Sequence, residues 1–125
     1  MWQEAINSSG GGNGKYYSGS YANNASVQEI NCGFRPKYIF VWIVYNNPQN
    51  TNAGGYSYYN ADYSTSQGQE QMVRVIYDNS GNISKGFINL PQSTTGGIRS
   101  VSNTGFNVKA DGGTTVYYCA ATDIN

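Results

Sequence analysis

The chain has 125 residues, of which 11% are charged, with Lys+Arg and Asp+Glu at seven each and no histidine. That length suits one domain with a core that needs neither metal nor disulfide, and the neutral balance gives no electrostatic case for nucleic acid or an anionic membrane as partner. The missing histidine rules out Ser-His-Asp and Cys-His catalysis, and Cys32 and Cys119 alone make no zinc site.

Residues 1–14 read as a flexible lead or linker, with a short entry segment at Trp2 to Ile6 and then the run SSGGGNG. There is no basic start followed by an apolar core, so no secretory signal is expected, and no apolar run is long enough to insert in a membrane as a helix. Residues 15–125 form the expected domain. Residues 15–21 (KYYSGSY) suit a first strand with a bulge at Gly19, and Asn23-Asn24 a turn. Residues 27–32 alternate, with Ile30 and Cys32 facing inward. Residues 38–45 (YIFVWIVY) are β-branched or aromatic throughout, which suits a pleated surface and suits a helix poorly. Both alternating sets are apolar, so this strand is expected at the centre of a sheet and covered on both faces, with Trp42 in the core.

A loop with Asn47-Pro48 follows, then a strand over residues 55–63 (GYSYYNADY) and a loop over 64–69. Residues 71–78 (QMVRVIYD) and 83–88 (ISKGFI) make a hairpin about Asn79-Ser80-Gly81-Asn82. After a loop over residues 90–97 come short strands at 98–101 and 106–109, the latter with Phe106 and Val108 inward, and a last strand at 114–121. About eight to ten short strands between Gly/Asn/Asp turns, with no helical period, predict an all-β fold: an antiparallel β-sandwich, jelly-roll-like. Cys32 and Cys119 are expected as buried free thiols rather than a pair.

Three pieces occur in order: Gly33-Phe34-Arg35-Pro36-Lys37-Tyr38-Ile39-Phe40-Val41-Trp42, then Thr104-Gly105-Phe106-Asn107-Val108, then Val116-Tyr117-Tyr118-Cys119-Ala120-Ala121. This order resembles the C-terminal β-sandwich domain of bacteriophage and prophage tail-fibre, receptor-binding or collar proteins, over about residues 27–121. The resemblance implies a virion appendage domain located outside the cell, often a homotrimer, that touches the host surface. It implies no catalytic residue and no cofactor. Residues 46–69 match nothing in that pattern.

The chemistry left to the residues themselves is recognition. Asn50, Asn52, Tyr56, Tyr58, Tyr59, Asn60, Asp62 and Tyr63 mix flat aromatic faces with amides and a carboxylate. Sugars need that mixture, with rings for their C–H faces and planar polar groups for their hydroxyls. These eight residues are the candidate ligand site for a host cell-surface glycan or other receptor. The competing reading is a solvated loop and a strand whose tyrosines pack on the sandwich or on a neighbouring subunit. Tyr16, Tyr17 and Tyr21 equally suit a subunit interface. A structural role in trimerising or capping a fibre, or a small secreted lectin, are the alternatives. Asp62, Glu70, Asp78, Asp111 and Glu29 are the carboxylates available to a glycosidase, but Asp78 and Asp111 sit at turns, where Asp commonly serves the backbone. No enzyme, metal or cofactor is expected.

Overall fold

A computed structural model describes residues 14–23, 26–47 and 52–122. The entry segment and nearly all of the Gly-rich lead lie outside them. Among the described residues nine strands occur in order: β1 (Tyr16–Asn23), β2 (Val27–Asn31), β3 (Tyr38–Tyr45), β4 (Asn52–Ser64), β5 (Glu70–Asp78), β6 (Ile83–Asn89), β7 (Gly97–Ser102), β8 (Gly105–Lys109) and β9 (Thr114–Ala121). They form two antiparallel sheets, a six-stranded one in the order β1-β9-β3-β4-β5-β6 and a three-stranded one in the order β2-β8-β7. The chain is thus an all-β sandwich, with unequal layers.

β3 lies inside the large sheet, between β9 and β4. Its Ile39, Val41 and Ile43 face the small sheet, in register with Ala120, Tyr118 and Val116 of β9 and with Tyr59, Ser57 and Gly55 of β4. From the small sheet, Ile30, Ile98, Phe106 and Val108 complete a core with Met72 and Leu90. Each fully buried aliphatic side chain there contributes roughly 1.5–3 kcal/mol relative to exposure. The expected inward setting of Phe106 and Val108 holds, since both are buried while Asn107 and Lys109 are half-buried.

Three expectations are corrected. Among the described residues only one face of β3 is covered, because the small sheet caps the large sheet on one side alone; Phe40 and Trp42 on the other side are 39% and 43% exposed. Trp42 is therefore not a core residue. Nor does Gly19 make a bulge, since β1 and β9 stay in continuous register from Tyr16↔Ala121 to Asn23↔Thr114. Gly19 instead makes room for a ring: a Cβ there would lie 2.5 Å from the Tyr118 hydroxyl oxygen. Freed to lie across the edge strand, Tyr118 stacks on Tyr17 at 6.0 Å, meets Tyr21 at 6.3 Å and presents its edge to Phe106 at 6.0 Å. Tyr17 and Tyr21 thus join the inner face of the sandwich.

The ends are tied by side chains. Asn23 is buried and donates from Nδ2 to the carbonyls of Ala110 at 2.7 Å and Asp111 at 2.8 Å, fastening β1 to the β8–β9 turn. Asp78 plays the local turn role expected of it: its carboxylate accepts from Ser80 N–H at 2.9 Å, Asn82 N–H at 2.8 Å and Asn82 Nδ2 at 2.9 Å. Those donors hold its carboxyl below the usual range. Cys32 and Cys119 are free and half-buried, and burial pushes both thiols up.

Candidate functional site

The uncovered face of the large sheet is laid out by strand alternation and register. One cross-strand row reads Ser20, Tyr117, Trp42, Tyr56, Val75, Lys85. The row on one side reads Ser18, Cys119, Phe40, Tyr58, Val73, Phe87, and the row on the other reads Ala22, Thr115, Val44, Gly54, Tyr77, Ile83. In these three rows Lys85 is the one charged residue. The centre is aromatic, and the β1 rim carries Ser18 and Ser20.

The rings hold one another in place. Trp42 and Tyr117 lie 5.4 Å apart at 33°, and Phe40 and Tyr56 lie 5.4 Å apart at 32°. The Trp42 Nε1–H donates to the Tyr77 hydroxyl at 2.9 Å. That bond crosses β4 at Gly54, where a Cβ would sit 2.6 Å from the Tyr77 hydroxyl oxygen. Tyr117, Trp42 and Tyr56 span two strand spacings, about 10 Å. A fixed aromatic strip of that length matches about two linked sugar rings.

Of the eight residues proposed from sequence, Tyr56 and Tyr58 lie on this face. Tyr63 meets Tyr58 edge-on at 6.3 Å, and Asn60 Nδ2 donates to the Tyr58 hydroxyl at 3.4 Å, so these four form one continuous patch. Asp62 is at its border, 3.5 Å from the Lys37 ammonium, with its N–H on Asn60 Oδ1 at 2.9 Å. Asn52 starts β4, and Asn50 lies outside the described residues. Tyr59 is a correction: it alternates to the inner face, is 0% exposed, and donates its hydroxyl to Glu70 Oε2 at 2.8 Å. Burial first, and the Glu70 bond after it, push its phenol up to about 12. Arg35 reaches the same Glu70 oxygen at 3.5 Å and Asn103 Oδ1 at 3.4 Å, bracing the far end of the sandwich.

Phe40, Trp42, Tyr77 and Tyr117 were missed as site residues. The signal was present in β3. Tyr38, Phe40 and Trp42 are aromatic at one parity, while Ile39, Val41 and Ile43 are aliphatic at the other. Aliphatic side chains interdigitate in a closed core, whereas aromatic rings also serve at surfaces that meet a partner.

In comparisons with protein-family models, curated proteins and solved structures, nothing matches this chain.

Proposed function

We propose that this protein is a non-enzymatic binding module that holds a neutral glycan of a host cell surface against the open face of its six-stranded sheet, as the distal domain of a virion tail fibre. The aromatic strip Tyr117–Trp42–Tyr56, locked by the Trp42–Tyr77 hydrogen bond, carries the reading. Rings fixed before binding lose little entropy when a sugar stacks on them. The neighbouring Tyr58 hydroxyl and Asn60 amide, with Ser18 and Ser20 at the rim, supply donors and acceptors for sugar hydroxyls. With Lys85 the one charge in the three central rows, a neutral ligand fits better than an acidic one. Several copies on one fibre would turn weak single sites into firm attachment.

A second reading has its own observation. On edge strand β6, Ile83 and Phe87 are 67% and 65% exposed and continue the same apolar face. Side chains so open suit burial against another copy of the chain, as in a fibre trimer. The same face cannot be occupied in both ways at once.

The test is a neutral oligosaccharide screen read by Trp42 fluorescence in a Trp2→Phe background, with light scattering on the same samples. A spectral change that saturates and is lost in Trp42→Ala supports the glycan reading. A trimer whose Trp42 emission no sugar moves, and which Phe87→Ser dissociates, replaces it with the interface reading.

A further inference from the structure

The large sheet carries a second feature on its other side. Arg74 projects from β5 to the inner face, the parity of Met72 and Ile76. Its register partners are Ser57 on β4 and Gly86 on β6. Nothing lies within 4 Å of where a Cβ of Gly86 would sit, so the guanidinium is not covered from that side. A half-open cavity of about 110 Å³ lies against it, lined also by Tyr45, Ser57, Gly55, Gly97 and Asp111.

The guanidinium is charged at any physiological pH and carries five N–H donors. None of them is matched to an acceptor within the described residues. Asp111, across the cavity, acts on it through space but is beyond ion-pair distance, and its Oδ2 accepts from the Tyr45 hydroxyl. The Ser57 hydroxyl accepts from Ile98 N–H at 3.2 Å. A partly dehydrated cation with no direct hydrogen-bond acceptor among the described residues is unfavourable, and burial pushes the Arg74 guanidinium downward against the opposing effect of Asp111 and Tyr45. Arg74 is not part of the open aromatic face.

We propose that the Arg74 cavity binds the carboxylate group of a small ligand. The planar fork of a guanidinium pairs with a carboxylate through two parallel hydrogen bonds. The cavity has room for that group and a carbon or two beyond it, not for a whole sugar ring, so the rest of the ligand stays outside the half-open mouth. Asp111 sets the charge class: a single negative charge is tolerated between it and Arg74, whereas a phosphate dianion is repelled. The inference is independent of the open-face reading, because the two sites lie on opposite sides of one sheet.

The experiment is NMR titration of the whole chain, following the Arg74 Nε–H signal, with acetate, methyl glucuronide, methyl glucoside and inorganic phosphate. Both carboxylates are expected to shift that signal saturably while the glucoside does not and phosphate binds several-fold more weakly. Arg74→Gln is expected to abolish the effect and Arg74→Lys to weaken it. Asp111→Asn is expected to tighten carboxylate binding several-fold, which loss of a merely structural residue would not do. Glucuronide far tighter than acetate identifies an acidic sugar as the source, and equal binding a free carboxylate; either supports the site. No saturable shift with any carboxylate, binding that survives Arg74→Gln in a protein with native signal dispersion, or phosphate binding equal to acetate overturns it.

Discussion

Trp42 and Tyr77 sit on strands that are not neighbours, yet the indole N–H of one donates to the phenol oxygen of the other at 2.9 Å. β4 runs between them, and its Gly54 leaves the gap through which the bond passes. An exposed indole thereby acquires a fixed orientation, which a binding face needs and a solvated residue does not.

Adding a methyl group in that gap tests the arrangement. A Cβ on Gly54 would meet the Ile43 carbonyl oxygen and the Tyr77 hydroxyl oxygen, each at 2.6 Å, and the first is backbone that cannot step aside. Gly54→Ala is expected to cost roughly 1–3 kcal/mol in urea unfolding. Tyr77→Phe removes only the hydrogen bond and is expected to cost about 0.5–1.5 kcal/mol while weakening any ligand that stacks on Trp42. Equal stability of Gly54→Ala and the parent would show that the bond does not pass there.

Two tyrosines of the inner face should respond to the same change in opposite ways. Tyr59 donates its hydroxyl to Glu70, so Tyr59→Phe is expected to lose about 1 kcal/mol. The Tyr21 hydroxyl is buried with no hydrogen-bond partner among the described residues, so Tyr21→Phe is expected to be neutral or to gain a few tenths of a kcal/mol. Chemical denaturation of both variants at neutral pH decides the pair.

The same two phenols give an alkaline limit. Both are held protonated to about 12, mainly by burial, against an ordinary value of 10.0. The unfolded chain therefore releases these protons first, and the stability they contribute is whole below pH 10 and falls as pH rises towards 12. Urea midpoints are expected to drop across that window, and the double variant Tyr21→Phe/Tyr59→Phe to drop less.

Cys119 is an internal reporter of the open face. It is in register with Phe40 on the same side of the sheet, whereas Cys32 lies after β2 with its Sγ–H on the Phe34 carbonyl at 3.3 Å. Burial raises both thiols, so alkylation is expected to be slow at neutral pH and faster as pH rises. A ligand or second chain on the aromatic face is expected to protect Cys119 and leave Cys32 unchanged. Protection of Cys32 alone would move the site to the other end of the molecule.

Ser57 joins the two sheets. It is buried on β4 and accepts from the Ile98 N–H of β7 at 3.2 Å. Ser57→Ala leaves that N–H without an acceptor in the core and is expected to cost roughly 1–3 kcal/mol in thermal or urea unfolding.

The sequence by itself determined the strands. Residues 71–78, 83–88 and 114–121 are short, contain β-branched and aromatic residues and are bounded by Gly, Asn and Asp, and local backbone chemistry is enough to make them strands and turns. It also determined that the chain is all-β, since no other class accommodates so many strands with no helical period. The side of β3 that is covered was decided only by the tertiary structure. A strand apolar on both faces fits two covering layers or one layer and an open aromatic face, and the choice depends on how many strands remain to build a second sheet. Three do, so the cover reaches the Ile39–Val41–Ile43 side alone and Trp42 is left facing outward. Tyr59 was misplaced for the same reason: among the adjacent Tyr58 and Tyr59, alternation guarantees opposite faces, but which one is inward depends on pairing with Ile39, a contact twenty residues away in sequence. The Arg74 cavity lay furthest from reach, because it needs the register of three strands and the loop before Gly97 together, and no local pattern encodes a space between them.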